Sequence, residues 1–132
     1  GDIHHTKSYS GFRVYGESKL MNLLFTYALA RRVEGTGVTV NALHPGFVRT
    51  GFGMNNGGIL AASLGLIQRF FALTPEQGAE TSIYLASSPS VKGITGKYFV
   101  DKKERKSSGI SYDKEQQERL WQLSEELATV KV

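Results

Sequence analysis

Cysteine is missing from the 132-residue chain. Its absence excludes a disulfide framework, a Cys-ligated zinc site and a Cys nucleophile. Long apolar runs are missing as well. The longest apolar segment, Gly57 to Leu73, is broken by Ser63, Gln68 and Arg69, so no stretch has the uncharged length needed to span a bilayer. No signal peptide is visible, and the cytoplasm is the default location, which is otherwise left open. Charge of one sign is only slightly in excess. The net charge is +4, and the one dense basic run is Lys102, Lys103, Arg105 and Lys106. So small a balance reads as a solvated surface, with a basic patch for nucleic acid or anionic membrane as the alternative. His4 and His5 are adjacent and have no spaced carboxylate partner, so they read as loop polarity and no metal is expected. An initiator Met is also missing. The polar start Gly1-Asp2-Ile3-His4-His5 reads as the beginning of a piece cut from a longer chain.

What is present is ordinary for a soluble globular protein: 40% apolar and 21% charged residues, enough chain for one domain and a modest core. Residues 1–12 read as loop. Val14 to Val33 is rich in Leu, Met and Ala and lacks Pro, which predicts a helix. Its apolar residues Leu20, Leu23, Leu24, Tyr27, Ala28 and Leu29 cover a wide arc, as expected of a helix buried on more than one side. Arg31 and Arg32 suit the dipole of its last turn, and Gly35 and Gly37 end it. The β-branched run Val38 to Leu43, bounded by Gly and Pro45-Gly46, predicts a strand. Thr74-Pro75-Glu76-Gln77 is a helix-start signature with Thr as N-cap, Pro at N1 and an acceptor side chain at N3. That helix runs to about Ser87. Gly96 to Val100 predicts a second strand, 101–111 a charged loop, and 112–129 an amphipathic helix with Leu120, Leu123 and Leu127 on one stripe. The alternation of helix and strand indicates an α/β fold around a parallel sheet. Two strands are too few for such a sheet, so the chain should need an upstream partner segment.

Val14-Tyr15-Gly16-Glu17-Ser18-Lys19-Leu20 carries the chemistry. Tyr and Lys at i and i+4 share a helix face. An isolated phenol titrates near pH 10 and is a poor acid–base catalyst at neutral pH. A neighbouring ammonium favours the phenolate, and such a phenol could exchange a proton with a carbonyl or alcohol oxygen. The Lys could also reach a sugar hydroxyl. Hydride-transfer enzymes need these services, because the cofactor carries the hydride itself. Taken alone, Tyr-x-x-x-Lys is weak, and surface packing explains most such pairs.

Nearly the whole chain, however, resembles the short-chain dehydrogenase/reductase family. Tyr15-Gly16-Glu17-Ser18-Lys19-Leu20 resembles its active-site helix, and Asn22-Leu23-Leu24-Phe25-Thr26 continues it in the manner of the retinol-dehydrogenase-like branch. Val38 to Gly46 is similar to the strand that follows, and Pro45-Gly46-Phe47-Val48-Arg49-Thr50 to the family's P-G-x-V-x-T turn. Thr74 to Ala79 and Gly93 to Phe99 resemble the next helix start and the last core strand. The resemblance implies the C-terminal half of a Rossmann-type doubly wound parallel sheet, with residues 1–132 as one portion of a single NAD(P)-binding domain. It implies Tyr15 as general acid/base and Lys19 as the ribose-binding partner that helps lower the phenol's pKa. It implies that Pro45, Gly46 and Val48 line the nicotinamide, with Thr50 near the carboxamide or phosphate. NADP is slightly favoured over NAD on the same ground. Independently, Pro-Gly at the C-terminal end of a parallel strand is where α/β folds place ligands, and Gly permits close backbone approach.

The family's Gly-rich phosphate loop and catalytic Ser are not matched within the chain. Ser8 and Ser10 lie too close to Tyr15 and read as loop residues, so both features are expected upstream of Gly1. The chain alone is therefore expected to be inactive. Residues 51–73 would be the substrate-loop region. Phe52, Met54, Leu60, Leu64, Phe70 and Phe71 make it apolar, consistent with an apolar alcohol or aldehyde, though core or a membrane-facing patch would read the same way. His44 reads as structural or as part of the cofactor-side rim. The expected partner is a small carbonyl or alcohol, with no nucleic acid and with self-association possible. The alternative is a non-catalytic nucleotide sensor or interaction scaffold of the same fold.

Overall fold

A computed structural model describes residues 9–48 and 72–128. His4, His5 and Thr50 lie outside them, as does the expected substrate-loop region except for Ala72 and Leu73.

Three helices and three strands are described. They are α1 (Gly11–Arg32), β1 (Asn41–His44), α2 (Pro75–Ser87), β2 (Lys97–Val100), β3 (Lys103–Arg105) and α3 (Lys114–Ala128), with short 3-10 turns at Pro89–Val91 and Gly109–Tyr112. The fold is α/β, and its sheet has the order β1-β2-β3, partly parallel. The third strand corrects the expected loop at 101–111. Lys103, Glu104 and Arg105 are all exposed and show no apolar alternation, so nothing in their pattern marks a strand. The hairpin is formed instead by a two-residue turn in which Asp101 (φ 51°) and Lys102 (φ 60°) are both left-handed, the primed geometry that matches strand twist. The first strand is also shifted from the expected 38–43. Val40 N–H donates to the Thr95 hydroxyl at 2.9 Å while its carbonyl accepts from Gly96 N–H at 2.8 Å, and the regular strand begins at Asn41.

The described residues form two compact units. Those of Gly1–Ala42, Gly93–Tyr98 and Lys106–Val132 form one, and those of Leu43–Lys92 and Phe99–Arg105 the other. In the first unit α1 buries Leu24, Thr26, Tyr27, Ala28 and Ala30. At 3.6 residues per turn these positions sweep about 200° of the helix, which meets the expectation of burial on more than one side. α3 docks there. Phe25 stacks on Trp121 with centroids 5.4 Å apart. Arg32 lies 4.1 Å over the Trp121 ring and grips Glu118 with both oxygens at 2.7 and 2.8 Å. The expected leucine stripe of α3 is corrected at one end. Leu127 is 58% exposed while Gln117 is only 2% exposed. Gln117 accepts from Arg31 and donates to the Ser111 carbonyl at 2.7 Å, so a polar side chain holds the centre of this contact.

In the second unit Phe99 and Val91 are buried, and Tyr84 meets Phe99 at 6.5 Å. Thr74 and Gln77 form the expected capping box. The Thr74 hydroxyl accepts from Gln77 N–H at 3.3 Å, and the Gln77 side chain accepts from Thr74 N–H at 2.9 Å. Glu80 of α2 pairs with Lys102 Nζ at 2.7 Å, and Thr81 accepts from Lys102 N–H at 3.3 Å. Glu80 raises the Lys102 pKa, chiefly through that hydrogen bond. The basic run is therefore partly neutralised at its first member.

Candidate active site

Tyr15 and Lys19 stand one turn apart in the N-terminal half of α1, and the helix brings them together. Lys19 Nζ is 5.1 Å from the centre of the Tyr15 ring. Both residues are exposed, Tyr15 at 47%. The motif around them is held locally. Ser18 donates to the Tyr15 carbonyl at 2.7 Å, and Glu17 pairs with Arg13 at 2.8 Å. Ser18 is thereby a helix side chain bonded to its own backbone. Gly16, between the two, leaves open space beside the helix, since nothing lies within 4 Å of where its Cβ would stand. Gly16, Lys19, Leu20 and Leu23 present one side of α1 to an open groove of about 370 Å³.

Pro45, Gly46 and Val48 lie in the second unit, at the end of β1. Gly46 has φ +83°, and a Cβ there would come within 2.6 Å of Leu73 Cδ1. Both the backbone and the space therefore demand glycine. His44 has a definite part that residue type alone did not reveal. Its Nδ1 accepts from Gly46 N–H at 2.8 Å, which ties the Pro-Gly turn back to the strand end and places the ring proton on Nε2. Val48 bridges to Leu73 in parallel, and Phe47 O accepts from Leu73 N–H at 2.7 Å. The Val48 side chain packs against Gly78 of α2, where an added Cβ would meet Val48 Cγ2 at 2.5 Å. With its side chain committed to α2, Val48 has only its main chain to offer a ligand.

Lys19 offers three donors, suited to a pair of ribose hydroxyls. The left-handed Gly46 turn offers bare backbone for a flat ring. Lys19 and the Gly46 turn belong to the two separate units, and each by itself has the chemistry to hold one part of a nicotinamide nucleoside. The described residues include nothing that cradles a pyrophosphate at a helix start.

One ring of groups flanking the groove could not be read from motif spacing. Tyr27 and Tyr112 stack at 5.2 Å, and both meet Ser107. Tyr27 hydrogen-bonds the Ser107 hydroxyl at 2.7 Å, while Ser107 N–H donates to the Tyr112 hydroxyl at 3.0 Å. Burial raises the Tyr27 pKa, whereas the Ser107 side-chain and backbone bonds lower that of Tyr112. The partners are 80 residues apart for Tyr27, which is why no local pattern marks them. Among the described residues no helix is long and apolar enough to cross a membrane.

A family model described as Enoyl-(Acyl carrier protein) reductase matches residues 2–102. Retinol dehydrogenase 14 of Homo sapiens is 48% identical over 126 residues, covering 94% of this chain and 38% of that protein. Retinol dehydrogenase 12 of Mus musculus is 42% identical over 126 residues, covering 96% and 39%. Short-chain dehydrogenase TIC 32 B, chloroplastic, of Brassica napus is 37% identical over 124 residues, covering 92% and 38%. The chain thus spans little more than a third of the length of these relatives.

Proposed function

The chain belongs to the short-chain dehydrogenase/reductase family, in its retinol-dehydrogenase-like branch, and on that footing we propose that it supplies the acid–base half of an oxidoreductase active site. The reaction is reversible hydride transfer between NAD(P)(H) and an apolar alcohol or aldehyde, and the relatives' names point to a retinoid-like substrate. One observation carries the reading: Tyr15 and Lys19 project exposed from one face of α1 with the ammonium 5.1 Å from the ring. The nicotinamide, when bound, carries the hydride. Tyr15 Oη gives a proton to the carbonyl oxygen during reduction and takes it back during oxidation. Lys19 holds the ribose hydroxyls and places a positive charge beside the phenol, which favours its anion during turnover. Pro45, Gly46 and the Val48 main chain would line the nicotinamide, with Val48 meeting the carboxamide, and Thr50 would stand near the carboxamide or phosphate. The Ser that orients the carbonyl and the loop that binds the phosphates are assigned to chain outside these 132 residues.

Tyr15→Phe in the full-length protein tests the proposal. Turnover is expected to fall by two orders of magnitude or more, in the range typical of a lost acid–base group, while cofactor binding by fluorescence titration stays unchanged. Unchanged turnover would remove Tyr15 from the mechanism, and an absence of turnover in the native protein, with binding intact, would favour a nucleotide sensor.

A further inference from the structure

We propose that Ser108 is the acceptor of an Arg-directed serine kinase, and that its phosphate is received by the ammonium groups of Lys19 and Lys106 in the groove beside α1. Two observations meet here. The first is a sequence that the oxidoreductase reading leaves unused. Lys103-Glu104-Arg105-Lys106-Ser107-Ser108 puts Arg three residues and Lys two residues before Ser108, the spacing that an acidic kinase groove selects by charge complementarity. Arg105 ends an exposed extended strand, and residues 106–108 have no regular structure.

The second is the wall of the groove. Besides Lys19 it is lined by Lys106, Ser107, Ser108 and Tyr98, and among the described residues no carboxylate lines it. The two serines are not equivalent. Ser107 is half-buried, with its hydroxyl bonded to Tyr27 at 2.7 Å and to Ser111 at 2.6 Å. Ser108 is exposed and its side chain makes no capping bond, so its oxygen is available. In the transfer, Ser108 Oγ forms a bond to the γ-phosphorus of ATP as the bond to ADP breaks, and the hydroxyl proton passes to the kinase's base. The product carries about −1.5 to −2 charge at neutral pH on the rim of a groove whose charged side chains are both cations. Charge-assisted bonds to Lys19 and Lys106 follow. A consequence, which rests on the function proposed above, is that Lys19 is drawn away from the cofactor ribose and turnover falls.

The experiment uses the full-length protein, the catalytic subunit of cyclic-AMP-dependent protein kinase and ATP. Tandem mass spectrometry is expected to place the phosphate on Ser108 and not on Ser107, and Arg105→Ala to slow incorporation several-fold. The 31P titration of the folded phosphoprotein is expected to show a second pKa lower by about half a unit or more than in the urea-unfolded chain, as nearby cations dictate. Lys19→Gln should remove part of that shift, and Lys106→Gln provides the same readout if Lys19→Gln fails to fold. Phosphate on Ser107, no incorporation, or a titration identical in folded and unfolded chains overturns the proposal. Failure of the oxidoreductase reading looks different: the shift persists in the phosphoprotein, but Tyr15→Phe leaves turnover intact.

Discussion

At Gly16 a methyl group would enter open space, while the residue sits inside a 22-residue helix. Alanine is favoured over glycine there by roughly 0.5–1 kcal/mol, so Gly16→Ala is expected to raise denaturant stability by that amount. The same methyl lies between Tyr15 and Lys19 on the groove side. If the groove admits substrate, turnover of the full-length protein falls while stability rises, and kinetics run beside a urea titration separate the two. Gly78 is the opposite case. Helix propensity would again favour Ala, but the branched and stiff Val48 side chain occupies the space a Cβ needs. Packing strain, typically 1–3 kcal/mol, outweighs the propensity gain.

Among the elements, α2 shows how closely a local signature can specify a structure. Glu76 in its first turn receives a hydrogen bond from its own backbone N–H and then one from Thr74, and its pKa lies below the ordinary 4.5. A lowered folded-state pKa means that protonation favours the unfolded form. The contribution is complete above pH 4.5, the ordinary value, and disappears as pH falls through the folded value. Amide shifts of Gln77 and Gly78 followed by NMR down the acid limb are expected to report fraying of the first turn, and Glu76→Gln should abolish that titration. This helix start is legible in the sequence because every partner lies within four residues. Tyr15 and Lys19 are legible for the same reason. β3 is not, since its three charged residues become a strand only through the left-handed pair Asp101 and Lys102. Nor is the groove, whose walls are Lys19 and Ser108, nor the part His44 plays, which depends on the turn that follows it. Pattern reveals what is local; partners brought together by the fold leave no periodic trace.

For the molecule as a whole, the site residues and the contacts that hold α1 are separate investments. Tyr15 and Lys19 are exposed, while the anchoring of α1 lies toward its C-terminal end, against α3. The 132-residue chain by itself is expected to bind NADPH weakly and to give no measurable turnover with a panel of aldehydes, because the described residues include no cradle for its phosphates. Measured turnover by the purified chain would refute this. The α1–α3 contact is expected to depend on Gln117. Replacing it with Leu leaves the Ser111 carbonyl without its donor and Arg31 without the amide oxygen, a loss of roughly 1–3 kcal/mol by the usual cost of a buried polar group left unpaired. A two-state urea titration measures it, and an unchanged midpoint would mean that packing alone holds α3.

The Gln117 amide has a donating end and an accepting end, and α3 uses both, one on Ser111 and one on Arg31. Sliding α3 by one residue would place Gln116 or the carboxylate of Glu118 at the buried position, and sliding it by one turn would place Asp113 or the indole of Trp121 there. Glu118, Asp113 and Trp121 lack the same donor and acceptor at the same reach, and Gln116 would bring its amide there only with the helix turned by about 100°, carrying Trp121 off Phe25. A leucine seam tolerates such slippage far better, because one methyl group packs much like another. α3 is therefore keyed to α1 by one amide: its alignment is the one in which Gln117 meets both Arg31 and the Ser111 carbonyl.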